Sequence, residues 1–234
     1  MKVFVPHYTC KTPFESGVVC LKIFTDYLNN ARINEKKPND LTEIGIKTAK
    51  KISEKNPLKM PLSLDLINLA IGKFDAVLTR QKESFKEEYF GLIDYEKKMK
   101  EELEKKGLKI IVEPEFEQKF LKELENTPLI AWVDFNKLYG QSNIGFGWVL
   151  ALEYNKMNDE IIIYDPLYYS RIPKSKNHER LSNTPKKRYS SIRKKRFIDS
   201  MKSIETLSIA KRRGKNAPSK PFIIEFFSIT KPNM

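Results

Sequence analysis

The sequence predicts an α+β protein. Apolar residues recur at helical spacing through most of residues 16–124, whereas strand-length apolar runs dominate from residue 128 onward. A hydrophobic content of 40%, with 14 Phe and 10 Tyr, supplies enough apolar side chain for a packed core. At 234 residues the chain fits one domain, 1–234, without internal repeats or a low-complexity linker.

Each element has a local reason. The opening "VFVPHY" reads as a short strand stopped by Pro6. Val18, Leu21, Phe24 and Leu28 then mark a helix for which Ser16 is the expected N-cap. Cys20 falls inside it as core packing. "PNDLTEIGIKTAKKISEKNP" predicts a second helix capped by Asp40, with Ile44, Ala49 and Ile52 on one face. "PLSLDLINLAIGKF" predicts a short helix opened by Ser63 and closed at Gly72. Over 84–106, Phe85, Tyr89, Leu92, Met99 and Leu103 form one stripe, and Gly107 supplies the stop.

"LKIIV" follows as a strand, and Phe116, Phe120 and Leu124 line one side of the next helix. "PLIAWVD" is apolar throughout and predicts a central strand. "FGWVLALEY", the turn "NKMND" and "EIIIYDP" predict an antiparallel pair. A helix near 192–210 carries Ile192, Phe197, Met201, Ile204 and Leu207, and "KPFIIEFFSI" is the last strand. Helices first and then an antiparallel sheet is the expected architecture.

Charge divides the chain. Residues 167–234 hold 18 Lys and Arg against 4 Asp and Glu, whereas the first 166 hold 25 against 26. A near-neutral body with a basic C-terminal third suggests an anionic partner, with a solvated lysine-rich surface as the plain alternative. The basic positions are Arg171, Lys186, Lys187, Arg188, Arg193, Lys194, Lys195, Arg196, Lys211, Arg212 and Arg213. Tyr168, Tyr169, Tyr189 and Phe197 interleave with them, a mixture that suits single-stranded nucleic acid or a packed helix with a charged rim.

No apolar run reaches the ~20 residues of a membrane span, and no secretory signal is visible. With two cysteines, the expected location is a reducing cytoplasm. Two Cys and two His without close spacing do not make a zinc site, and "GFG" at 145–147 is too short for a dinucleotide loop. No cofactor is expected.

Two stretches carry chemistry. "VPHYTCKTPFESGVVCLKIF" places a Ser-Gly step at the head of an apolar helix, and "GFGWVLALEYNKMNDEIIIYDP" ends in Asp165-Pro166. With the order of elements over roughly residues 1–210, these resemble the family-39 cysteine peptidases, the papain-like proteases that trim double-glycine leaders. The resemblance implies a papain-like fold. It sets Ser16 at the nucleophile position, Gly147 at the histidine before Trp148, Cys10 at the oxyanion glutamine and Asp165 at the orienting carboxylate.

Only Asp165 is of the type the reaction needs. Amide hydrolysis by a thiol requires a thiolate, an imidazole to hold it and donors for the oxyanion. A serine without a base cannot substitute. Glu15, beside Ser16, would also be the wrong charge for a thiolate at that helix terminus.

Three readings follow. In the first, a papain-like fold that has lost its nucleophile and base holds a peptide or protein segment, an acidic one being favoured, or another anionic partner in the remaining cleft, with Trp148 and the basic rim as contacts. In the second, Cys10 has become a relocated nucleophile served by His7 or His178, giving an amide hydrolase or acyltransferase; a small buried thiol is its plain alternative. In the third, the basic third binds nucleic acid and the fold is a scaffold.

Overall fold

The architecture is carried by a seven-stranded mixed sheet in a computed structural model that describes residues 5–29, 39–54, 56, 58, 60–82, 90–140, 145–167, 189–203 and 223–232. In chain order the described elements are β1 (Tyr8–Thr9), α1 (Pro13–Leu28), β2 (Asn39–Asp40), α2 (Thr42–Ser53), α3 (Ser63–Ala70), β3 (Asp75–Arg80) and α4 (Phe90–Glu104). There follow β4 (Leu108–Val112), α5 (Phe116–Leu124), β5 (Leu129–Asp134), α6 (Phe135–Tyr139), β6 (Phe146–Asn155) and β7 (Glu160–Tyr164). The last three are β8 (Ser190–Arg193), α7 (Lys194–Lys202) and β9 (Glu225–Thr230).

The sheet runs β4-β3-β9-β5-β6-β7-β8. β3 and β4 are parallel, with α4 between them in the chain; every other pairing in this sheet is antiparallel. The expected helices-then-antiparallel order is therefore corrected: one β–α–β crossover sits at the sheet's edge, because parallel neighbours need a long connection. β5 takes the middle place, and all six of its residues are buried. β6 and β7 form the expected antiparallel pair, with a register shift between Ala151 and Glu153.

Alternation along the strands feeds two packed faces. On one, Trp148 stacks on Trp132 at 5.4 Å and meets Phe227 edge-on, and α1 lies across Trp148. On the other, Phe226 meets Phe116 and Phe120 of α5, and Phe120 stacks on Phe197 of α7. The close approach of α1 depends on Gly17, where a Cβ would stand 2.6 Å from Trp148 Cδ1 and 2.7 Å from Leu66 Cδ1. Among the described residues no helix is long and apolar enough to cross a membrane.

Several boundaries differ from the sequence expectation. The early strand follows Pro6, at Tyr8–Thr9, and residues 1–4 lie outside the described residues. α1 begins at Pro13: Glu15 accepts from the Thr12 and Lys11 amides at 2.8 and 3.0 Å and from the Thr12 hydroxyl, closing a capping box. Ser16 is thus in the first turn and is not the cap. α2 turns Gly45, Ala49 and Ser53 inward and leaves Ile44 64% exposed, because α1 approaches too closely for a larger side chain at 45. Leu62 occupies the N-cap position of α3, and its amide donates to Asp65 Oδ2 at 2.9 Å.

The stripe of α4 is confirmed at Leu92 and Leu103, while Phe85 and Tyr89 lie outside the described residues. Ile192 belongs to strand β8, opposite Ile161, and α7 starts two residues later; Ile204 and Leu207 lie outside the described residues.

Candidate functional site

The first turn of α1 meets the start of β6, and the two short motifs come together there. Ser16 Oγ donates to Pro13 O at 2.7 Å and accepts from the Trp148 amide at 2.9 Å. Ser16 is fully buried. A Cβ on Gly147 would stand 2.9 Å from Ser16 Oγ and 2.6 Å from Phe135 Cε2. Ser16 and Gly147 are therefore adjacent, and the space in front of Gly147 belongs to an aromatic ring.

That ring is held by α6. Asp134 Oδ1 accepts from the Asn136 amide at 2.8 Å to start the helix, and Gly140 ends it at φ 66°. The single turn stacks Phe135 against Tyr139, rings parallel at 6.1 Å. The Tyr139 hydroxyl then donates to Asp165 Oδ2 at 2.7 Å, while Leu167 N donates to Asp165 Oδ1 at 2.8 Å. Where the resemblance implies imidazole between nucleophile and carboxylate, this chain sets Phe135 against the serine side and a tyrosine hydroxyl on the carboxylate.

Both thiols are buried. Cys10 is anchored by its amide donating to Pro166 O at 2.9 Å, and its Sγ lies 3.8 Å from Thr12 O. Cys20 Sγ lies 3.5 Å from Trp148 O, and burial, reinforced by the charge of Asp165, pushes its thiol well up. A thiol so placed stays protonated and inert at neutral pH. His7 is buried beside Tyr164, rings edge-on at 6.0 Å.

Trp148, expected as a contact for a partner, is buried between Gly17, Trp132 and Phe227. Of the basic positions, Arg193, Lys195 and Arg196 are exposed at the β8–α7 junction, and Lys194 is half-buried, 3.4 Å from Asp159 Oδ1. Arg171, Lys186, Lys187, Arg188, Lys211, Arg212 and Arg213 lie outside the described residues, as does His178.

A second polar cluster, absent from the sequence reading, lies between α3, α4, β3 and β9. Arg80, 1% exposed, donates from Nε to Glu225 Oε2 at 2.8 Å and from Nη1 to Glu96 Oε1; Ser63 Oγ donates to Glu225 Oε1. Beside it Asp65 accepts from Asn56 Nδ2 at 2.7 Å and from the Tyr95 hydroxyl. Burial pushes the Glu96 and Asp65 carboxyls up, against the lowering pull of Arg80 on the first and of its hydrogen bonds on the second. Its hydrogen bonds join positions up to 162 residues apart, so no local motif announces it. Among the described residues no group of three or more His, Cys, Asp or Glu side chains is arranged to hold a metal ion.

Neither the family models nor the curated proteins compared with this sequence match it.

Proposed function

We propose that this chain is a non-catalytic, peptidase-like protein that holds an acidic peptide or protein segment. Its hydrolase positions have become packing: a buried serine, a glycine in van der Waals contact with it, and a phenylalanine where a base would stand. The observation that carries this reading is the contact geometry at Gly147. Any side chain there would overlap Phe135 and Ser16, so an imidazole has no room without repacking α6. The hydrogen bonds of Ser16 support it, because an Oγ donating to Pro13 O and accepting from Trp148 N is fixed in place and fully buried.

The partner is held at the rim, since Ser16 and Cys10 are both buried. α7 packs beside α6, with Ser203 Oγ donating to Asp134 Oδ2 at 2.9 Å. Arg193, Lys195 and Arg196 present exposed positive charge at the other end of α7, beside the β6–β7 turn at Asp159. They belong to the basic C-terminal third of the sequence, and a cationic rim steers anionic partners.

Fluorescence anisotropy with a Glu-rich peptide and with a single-stranded oligonucleotide tests this. Arg193→Glu/Lys195→Glu/Arg196→Glu should weaken peptide binding about tenfold and more at low salt. Wild-type protein should leave amide and ester substrates intact, and Ser16→Ala should change nothing in that assay. Turnover lost on Cys10→Ala would replace this reading with the relocated-cysteine hydrolase. Tight, steeply salt-dependent binding of the oligonucleotide alone would replace it with nucleic-acid recognition.

A further inference from the structure

The sheet ends at β4, and among the described residues no strand lies beyond it. The Glu113 amide donates to Arg80 O at 2.8 Å, which fixes the parity of the strand. Residues 109, 111 and 113 turn their main-chain groups toward β3. Leu108, Ile110 and Val112 turn theirs outward. Ile110 and Ile111 are half-buried, and Val112 is 42% exposed. An edge with outward amides and apolar side chains is a template for another strand.

The flanking charges select the occupant. Lys105, Lys106 and Lys109 lie on the N-terminal side of the strand, exposed; Glu113 and Glu115 lie on its C-terminal side. We propose that β4 pairs antiparallel with β4 of a second copy of this chain, about a two-fold axis at Ile110.

This register opposes Ile110 to itself and Leu108 to the second copy's Val112, so every outward main-chain group finds a partner. It lays the basic approach of one copy along the acidic exit of the other, twice over by symmetry. A lone lysine on an edge strand normally discourages pairing; here the symmetric arrangement brings Glu113 diagonally across from Lys109. Parallel pairing would instead set lysine against lysine. The opposite edge, β8, lacks this complementarity: Ser190–Arg193 holds no acidic residue and runs straight into Lys194, Lys195 and Arg196.

Sedimentation equilibrium of the full chain over a concentration series tests the pairing. The small contact predicts a dimer dissociating at roughly 1–100 µM. Val112→Pro removes one outward donor per copy without touching the β3–β4 ladder, and should raise the dissociation constant about tenfold or more. Lys105→Glu/Lys106→Glu/Lys109→Glu gives an all-acidic edge, and Glu113→Lys/Glu115→Lys an all-basic one. Each alone should be monomeric, and their equimolar mixture should dimerise. Circular dichroism checks that each variant folds, and the charge variants decide the matter if Val112→Pro does not. A wild-type chain monomeric to about 1 mM, a dimer indifferent to these changes, or charge variants that fail to pair when mixed would overturn the proposal.

Discussion

Gly147→Ala turns the packing at the closed site into a measurement whose sign is informative. In the interior of a strand, alanine is ordinarily about 0.5–1 kcal/mol more favourable than glycine, because glycine loses more conformational freedom on folding. On propensity alone the change should stabilise. The new methyl, however, would stand 2.6 Å from Phe135 Cε2 and 2.9 Å from Ser16 Oγ, both in fully buried side chains. Overpacking of this kind costs about 1–3 kcal/mol, so after the propensity gain the net loss lies within about 0–2.5 kcal/mol and centres on about 1 kcal/mol.

With a urea m-value of about 2–3 kcal/mol/M for a chain of this size, the unfolding midpoint should fall by about 0.5 M. Repeating the substitution in a Phe135→Leu background removes the atom in the way, and the loss should shrink by about 1 kcal/mol. A midpoint that rises, or a penalty unchanged in that background, would refute the claim that the Phe135 ring leaves no room for a side chain at position 147.

Other consequences are as direct. Arg80→Met strands Glu96 and Glu225 without their cation and should cost about 3–5 kcal/mol in the same assay; adding Glu96→Gln and Glu225→Gln should recover part of that loss. Burial raises the Asp65 carboxyl, so its contribution to stability is fully present below its unfolded value near about 3.9 and is lost as pH rises through the folded one. Asp65→Asn should flatten the stability–pH curve in that window, and a parallel curve would contradict the shift. Ellman's reagent at pH 8 should label neither Cys10 nor Cys20 in the native protein and both in denaturant, since both thiols are buried. Rapid native labelling of Cys10 would revive a reactive thiol.

How much of this was legible depends on how local its cause is. β5 and α5 were readable because an all-apolar run and a stripe at 116, 120 and 124 report burial directly. "TPFE" also carried the true start of α1, since Thr-x-x-Glu is a capping signature that outweighs a serine four residues on. β3 went unread: it opens with exposed Asp75 and closes with Arg80, whose charge becomes tolerable in the interior only through Glu225 and Glu96. The sequence reading assigned no element to α6, although Asp134 and Gly140 bracket it. Ile44 was misplaced because helical periodicity gives the spacing of a face but not which face meets a neighbour; the approach of Glu15 and Val19 to Gly45 decides that.

The pairing of the two short motifs was the most informative part of the sequence reading. Ser16 and Gly147 do meet, and Asp165 is tied to the same corner by Tyr139. What could not be read was the filling of that corner. Phe135 and Tyr139 look like ordinary turn residues until the strand before them is seen to end beside α1.

The placement of β9 has a consequence for biosynthesis. This strand is made after all the others, yet it is the seam between β3 and β5, pairing with both. At the usual pace of translation, about 5–20 residues per second, Arg80 emerges roughly 7–30 s before Glu225, 145 positions downstream. Until β9 arrives, the strands on either side of its place stay unjoined, and the Arg80 guanidinium is short of one of its two carboxylates. Ribosome-associated chaperones would find their work here, in the wait for a single late strand.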